Sequence, residues 1–245
     1  MQTIMKTRLI LSALAALAVF TSCDGIFDDD PFIEDDDTVA ILDGNTLTYG
    51  SHHYTFDETS TKGTVTFTHF PATVREFSAV QDELLGNSKP GALVLEIMAF
   101  EMYRRDRTKG QKCIEKCNLA PNAKTVIANL SQRFPDKRDN LTDDSRQPYL
   151  VSAFLKGSTQ ENGYQPDYPY EITFTESTAE YAKQGEYSIS GFGRVYTWET
   201  VRGGWRDVSA TVLVSDDEYD FVLVNDCAAL YSEVPAISDW KDTLK

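Results

Sequence analysis

Positive charge is scarce in this chain, which carries 23 Lys and Arg against 38 Asp and Glu and a formal net charge of −15 at pH 7. Such a surface repels a phosphate backbone, so we expect no nucleic-acid partner. The only three histidines, His52, His53 and His69, fall in one short region. With all histidines in one region, few are placed to act as the base of a Ser-His-Asp or Cys-His catalytic arrangement. The sequence also lacks a G-x-S-x-G elbow, a P-loop and a dinucleotide fingerprint, so we expect no cofactor.

No apolar run in the sequence is long enough to span a bilayer. The longest, residues 9–20, has the length of a signal-peptide core and follows two positive charges. Two small residues then precede Cys23, an order that resembles the lipobox of bacterial lipoproteins, although Phe20 stands where that motif usually has Leu. The resemblance implies a signal peptide of residues 1–22, a fatty-acylated Cys23 and a membrane anchor. The alternative is a plain secretory signal with an incidental cysteine.

Acidic residues crowd the next segment, since residues 24–37 contain eight of them. Like charges at this density repel one another and hold a chain extended and hydrated, so we expect residues 23–45 to form an acidic tether. The run also resembles the surface-export signal of Bacteroidota lipoproteins, with Asp28, Asp29 and Asp30 as its candidate residues. That resemblance implies an outer-membrane protein facing the cell exterior, whereas the alternative is a simple spacer. A calcium loop is disfavoured, because the central Gly and distal Glu of an EF-hand are missing.

Three cysteines remain after lipidation, namely Cys113, Cys117 and Cys227. In the oxidising compartment that export implies, one disulfide and one free thiol is the simplest arrangement, and the sequence leaves the pairing open. Buried thiols are the other interpretation. A metal site would need two further ligands near Cys113 and Cys117. No histidine lies in that half of the domain, so we expect no metal.

Alternating polar and apolar residues favour strands at both ends of the domain. Residues 46–70 predict an N-terminal β-hairpin region. Thr73 and Glu76 then fit a capping box at the start of a helix. Three further helices are predicted at residues 92–103, 108–117 and 123–134, with Pro90 in the first turn of the first and Asn122 capping the last.

After a charged loop at residues 136–146, the pattern returns to strands. These are predicted at residues 147–155, 170–177, 185–199, 207–214 and 219–224. Strands, then helices, then strands indicate an α+β fold, in which a layer of about four helices packs on an antiparallel sheet. We expect one domain over residues 46–236, followed by a tail of residues 237–245.

Residues 157–166 read GSTQENGYQP and resemble a G-[AS]-T-x-E-N-x-Y-x-P signature of an uncharacterised bacterial domain family. Weaker matches flank this signature, and the resemblance covers about residues 70–226. The family's closing W-x-L-W-E strand is not matched at residues 219–226. The resemblance implies an architecture and no catalytic residues. Asn162 and the glycines of the signature favour an ordered loop, with a ligand-binding loop as the alternative.

Aromatic residues gather in the predicted C-terminal sheet, where planar side chains suit sugar faces or peptides. Tyr196, Trp198 and Trp205, with Tyr164 from the signature, form the candidate ligand face. The alternative is that these side chains are the core of the sheet.

We therefore expect a lipid-anchored envelope protein with a non-enzymatic binding or structural role and a possible glycan or peptide ligand. A hydrolase acting on glycans or peptides is the alternative. An exposed aromatic row would favour the binder, and two acids facing one cleft would favour the enzyme. The sequence leaves the oligomeric state open.

Overall fold

The computed structural model describes residues 38–134, 146–179, 188–189, 193–215, 221–238 and 240–245. Cys23, Asp28, Asp29 and Asp30 lie outside the described residues, as do most of the predicted tether and of the predicted 136–146 loop. Within the described ranges, no helix has both the length and the apolar character needed to cross a bilayer.

An antiparallel sheet is the framework of the domain. Its strands are β1 (Ala40–Asp43), β2 (Thr46–Tyr49), β3 (His52–Thr59), β4 (Lys62–Phe67), β5 (Tyr170–Glu176), β6 (Ser188–Ile189), β7 (Gly193–Arg202), β8 (Arg206–Ser215) and β9 (Val222–Asp226). They lie in the order β1-β2-β3-β4-β5-β7-β8-β9, and the short β6 pairs with β7. Strands β1 to β4 form the predicted hairpin region, and β4 then pairs with β5. The helices are therefore inserted between two neighbouring strands of one sheet, and the predicted α+β fold is confirmed.

The inserted helices are α1 (Val74–Val80), α2 (Lys89–Arg105), α3 (Arg107–Cys117) and α4 (Ala120–Arg133). At the start of α1, the Thr73 hydroxyl accepts a hydrogen bond from the Glu76 amide at 3.0 Å, as predicted. The Glu76 carboxylate accepts instead from the amide of Ala72 at 2.8 Å and from the hydroxyl of Tyr54 at 2.7 Å. Only half of the predicted capping box forms, because the carboxylate is used to join α1 to the sheet.

Proline positions set the starts of the two longest helices. Pro90 lies in the first turn of α2, as predicted, and the Ser88 hydroxyl caps that helix by accepting from the Gly91 amide at 3.2 Å. Helix α4 begins at Ala120, with Pro121 in its first turn. The prediction that Asn122 caps this helix is therefore wrong, because proline favours the first helical turn and the start moves toward it.

Helix α2 lies in the core, as its apolar sequence predicted. Leu93, Ile97 and Phe100 are fully buried, and they belong to the same cluster as the inward side chains of the sheet, such as Ile172. The helices thus cover one face of the sheet.

Three predictions about the extent or type of segments need correction. Strand β1 lies within residues 23–45, which were assigned to the tether, and it pairs with β2, so folded structure begins before residue 46. Residues 147–155 form turns and a short 3₁₀ helix (Ser152–Phe154) instead of a strand, because a short apolar run does not distinguish a strand from a buried turn. The predicted tail packs on the core through Trp240 and Leu244.

Cys113, Cys117 and Cys227 are free buried thiols, which agrees with the buried-thiol interpretation and not with the disulfide. The Sγ atom of Cys227 lies 3.5 Å from Glu96 Oε1, and Asn118 Nδ2 donates to Glu96 Oε2 at 2.6 Å. Burial raises the pKa of Glu96 to about 8 and raises the pKa values of Cys117 and Cys227 well above the ordinary thiol range. Thiols in such an environment are poor nucleophiles.

Candidate functional site

The two faces of β5 differ in chemistry because its residues alternate. Tyr170, Ile172 and Phe174 point into the core, whereas Glu171, Thr173 and Thr175 point away from the helices. Threonines continue along this second face on neighbouring strands, and several of them form cross-strand hydrogen bonds, such as Thr64 with Thr173 at 2.9 Å and Thr46 with Thr55 at 3.0 Å. The helix-free face of the sheet is therefore rich in hydroxyl groups.

Strands β5 and β7 pair over only two residue positions and then separate. The paired positions are Thr175 with Glu199 and Glu176 with Trp198. Beyond them, the Thr200 hydroxyl donates to the Thr173 carbonyl at 2.7 Å, which takes the place of a ladder bond. The β5–β7 ladder therefore ends at Thr175 and Glu199.

Residues 153–156 fill the inner part of this gap. The Gly203 amide donates to the Ala153 carbonyl at 2.7 Å, and the Lys156 amide donates to the Glu171 carbonyl at 3.0 Å. Residues 153–156 therefore join β5 to the turn directly after β7 through backbone hydrogen bonds. A short loop thus replaces the missing part of the β5–β7 ladder.

A pocket of about 390 Å³ lies over this junction, on the helix-free side of β5. We call it the junction pocket. Its polar lining includes Lys156, Ser158, Glu171, Thr173, Thr175, Glu199 and Asp207, and its apolar lining includes Ala153, Phe154, Leu155 and Val201. A volume of this size is within the range of small-ligand sites.

Carboxylates dominate the electrostatics of the junction pocket. Lys156 Nζ donates to Glu171 Oε2 at 2.9 Å, and this carboxylate raises the pKa of Lys156. The Ser177 hydroxyl donates to Glu199 Oε1 at 2.6 Å. Asp207 is exposed at the opening. The three acidic side chains therefore outnumber the single ammonium group in the described lining.

Ser158 is the unusual member of the lining. Its side chain is 1% exposed, and its hydroxyl has no hydrogen-bond partner among the described residues. A buried hydroxyl without a partner costs free energy, so such groups call for an explanation. Ser158 is also a lining residue of the junction pocket.

Residues 157–170, which contain the signature and which we call the signature segment, form an ordered loop, and Gly157 and Ser158 of this segment line the pocket. Asn162 Oδ1 accepts from the amides of Thr159 at 2.9 Å and Gln165 at 3.1 Å. Its Nδ2 donates to the carbonyls of Gly157 and Gln165. A single side chain therefore fixes the loop backbone, which agrees with the ordered-loop interpretation of the signature.

The same segment binds the end of the chain. We call residues 234–238 and 240–245 the C-terminal strap. Tyr164, Gln165 and Tyr170 all form hydrogen bonds with it, and the Phe70 amide donates to the Lys245 carbonyl at 2.9 Å. The signature thus holds the strap on one side and lines the pocket on the other.

The predicted aromatic ligand face does not form, which corrects that prediction. Trp198 and Tyr164 are core residues with exposed fractions of 2% and 0%. Tyr196 is half-buried beneath the Lys89 ammonium, 4.0 Å from its ring centre. Trp205 is 63% exposed on the turn between β7 and β8, directly after Gly204 of the pocket lining. Of these four residues, only Trp205 is exposed, and it is next in the chain to a lining residue.

A second polar cluster joins β3 and α1 and includes His69, which follows β4. His52 stacks on His69 with ring centres 4.2 Å apart, and His52 Nδ1 lies 2.6 Å from Glu76 Oε1. Burial and the neighbouring His52 lower the pKa of His69. Glu76 is already bonded to Tyr54 and Ala72, so this cluster joins helix α1 to the sheet. In the described part of the chain, no three His, Cys, Asp or Glu side chains are grouped as metal ligands.

A family model described as a domain of unknown function, DUF6935, matches residues 69–238. The chain belongs to the DUF6935 family. No curated protein and no solved structure matches it. The DUF6935 match includes the signature segment and every lining residue of the junction pocket.

Sequence reasoning missed the polar lining of this DUF6935 pocket, although a signal for part of it existed. The alternation in residues 170–176 placed Glu171, Thr173 and Thr175 on one face of a strand. Ser158 belongs to the signature itself. No local pattern indicated that β5 and β7 separate, because that depends on where the 153–156 segment packs.

Proposed function

We propose that this chain is a lipid-anchored envelope protein whose DUF6935 domain is a non-enzymatic binding module. The junction pocket is its ligand site. The observation that carries this proposal is the pocket itself, a 390 Å³ depression with converging polar groups and an unpartnered hydroxyl on Ser158. The envelope location rests on the lipobox-like order before Cys23 and on the acidic run behind it.

The ligand we propose is a glycan fragment or a short peptide. Threonine and serine hydroxyls with carboxylates can pair with hydroxyl and amine groups of either. Trp205, which follows the lining residue Gly204 in the chain, offers an exposed ring.

Binding of the purified full-length chain to glycan and peptide libraries tests the proposal. Val201→Trp places a large ring in the opening, at a side chain that is half exposed and lines the pocket. Ile41→Trp is the matched control, because Ile41 is an exposed aliphatic side chain on a distant strand. We expect Val201→Trp to weaken binding at least tenfold with an unchanged melting temperature, and Ile41→Trp to bind normally. No ligand in either library, or equal binding by both variants, would overturn the proposal.

A hydrolase is the second candidate, and one observation favours it. Glu199 and Asp207 both line the pocket from neighbouring strands, where Glu199 opposes Ser209 and Val201 opposes Asp207. Diagonal neighbours of this kind have backbone positions about 7–8 Å apart, which allows their carboxyl groups to reach the spacing of roughly 6.5–9.5 Å found in inverting glycosidases. We prefer the binder because Asp207 lies in solvent, whereas a glycosidase general acid is a carboxyl group kept protonated by a desolvated site. Release of reducing sugar by the wild type, abolished in Asp207→Asn, would establish the enzyme instead.

A further inference from the structure

The junction pocket differs from a general sugar site in the charge of its lining. Glu171, Glu199 and Asp207 lie around it, and Lys156 is the single cation among its described lining residues. Lys156 is held by Glu171 at 2.9 Å, so this ammonium is already engaged. Carboxylates in a partly enclosed pocket attract cations and repel anions. The net charge of −15 for the whole chain acts in the same direction.

The neutral polar groups require a ligand that also carries hydroxyls or similar groups. Ser158 provides a hydroxyl that is 1% exposed and unpartnered among the described residues, independently of the carboxylates. Thr173 and Thr175 add hydroxyl groups from β5 to the same lining. A simple metal ion or alkyl amine would leave the Ser158 hydroxyl without a matching group.

The backbone around the pocket disfavours an extended peptide. Peptides that bind sheets commonly add a strand to an open edge. Here the β5 and β7 backbones are joined to each other and to residues 153–156, through Glu171, Ala153 and Gly203. The junction therefore offers no free ladder to a peptide, and recognition must come from side chains.

We infer that the junction pocket takes a sugar that bears a protonated amino group, that is, a glucosamine-type unit without an N-acetyl group. This inference rests on the proposed function of the pocket. The ammonium of the sugar forms charge-assisted hydrogen bonds with the carboxylates, of which Asp207 is the exposed one. The sugar hydroxyls bond to Ser158 and to the threonines of β5.

Calorimetric titration of the full-length chain with three probes tests the inference. The probes are a glucosamine trisaccharide, its fully N-acetylated counterpart and a lysine tripeptide. We expect the glucosamine trisaccharide to bind at least tenfold more tightly than either of the others. We also expect its affinity to fall with rising salt, because the contact is ionic.

Two variants connect the preference to the pocket. Asp207→Asn should reduce the preference for glucosamine over N-acetylglucosamine at least fivefold. Asp43→Asn is the matched control, since it removes the same charge from an exposed site on β1 and should leave the preference unchanged. Ser158→Ala should weaken binding of the glucosamine trisaccharide without lowering the melting temperature, because the hydroxyl has no partner within the protein.

The outcomes separate the two proposals. Equal binding of glucosamine and N-acetylglucosamine probes, weakened by Val201→Trp, would overturn this inference and leave the binding module intact. Tighter binding of the lysine tripeptide would assign the pocket to a cationic peptide and would also overturn it. Failure of all three probes, together with empty glycan and peptide libraries, would overturn the proposed function and the inference with it.

Discussion

The hydroxyl of Tyr164 donates a hydrogen bond to the carbonyl oxygen of Pro235 at 3.0 Å, and so joins the signature segment to the C-terminal strap. The Tyr164 ring also stacks on Tyr149, with ring centres 5.2 Å apart. One side chain therefore supports both the loop and the strap.

Tyr164→Ala is expected to lower the free energy of unfolding by about 3–5 kcal/mol, because it empties a buried aromatic site. Tyr164→Phe keeps the ring and should cost about 1 kcal/mol, the usual net value of one hydrogen bond. Urea unfolding followed by tryptophan fluorescence measures both. Trp205→Ala is the control and should change stability by less than about 0.5 kcal/mol, since Trp205 is exposed. A Tyr164→Ala variant as stable as the wild type would show that the segment is not a scaffold.

Gly163 has a φ of +68°, and a Cβ atom placed there would meet no neighbour within 4 Å. The cost of a side chain at this position is therefore conformational and not steric. Gly163→Val should destabilise the domain by roughly 1–2 kcal/mol, and Gly163→Asn by less, because Asn tolerates the left-handed region. Thermal unfolding of the two variants compares them. Equal losses of stability in the two variants would contradict this, because they would mean that the loop backbone moves out of the left-handed region when Gly163 is replaced.

Because Glu96 is buried, we expect the free energy of unfolding to depend on pH. Burial raises the pKa of Glu96 from 4.5 to about 8 in the folded state. A raised folded pKa contributes stability that is fully present below the unfolded value and is lost as the pH rises through the folded value. The free energy of unfolding should therefore fall between about pH 4.5 and 8, by up to about 1.4 kcal/mol per pH unit.

Glu96→Gln should remove this slope, because the amide cannot ionise and can still accept the hydrogen bond from Asn118. Chemical unfolding of both proteins across this pH range provides the measurement. An identical slope in the variant would assign the dependence to another group.

Cys23 is expected to carry the lipid. Cys23→Ala should abolish both fatty-acid labelling and partitioning into the detergent phase, and persistence of either would contradict the lipobox interpretation.

The acidic residues behind Cys23 give a separate expectation about surface display. Replacing Asp28, Asp29 and Asp30 with Ala should preserve labelling but reduce cleavage by external protease. The triple replacement of Asp35, Asp36 and Asp37 is the control for the loss of charge alone. Equal protease accessibility in both triple variants would reduce the run to a spacer.

Local pattern was sufficient for most of the fold. The apolar sequence of α2 predicted a buried helix, and the alternation in residues 170–176 predicted strand β5. Residues 147–155 were misassigned because their apolar side chains are buried on all sides of a compact turn, a pattern that a short strand shares.

The site required information that local pattern does not contain. Trp198 and Tyr196 share one face of β7, as alternation indicated, but the sequence does not state which face the helices cover. The junction pocket depends on the separation of β5 from β7 and on the packing of residues 153–156 between them. Those contacts join segments that are far apart in the chain, so no window of neighbouring residues reveals them.

Strand β1 is an edge of the sheet and exposes Ile41 and Leu42 to solvent. An uncovered apolar edge is a template for pairing with another chain, and natural proteins counter this with charge. The dense carboxylates of residues 24–37 precede this edge directly in the chain. On β1 itself, Asp43 is the exposed charge that opposes such edge-to-edge pairing.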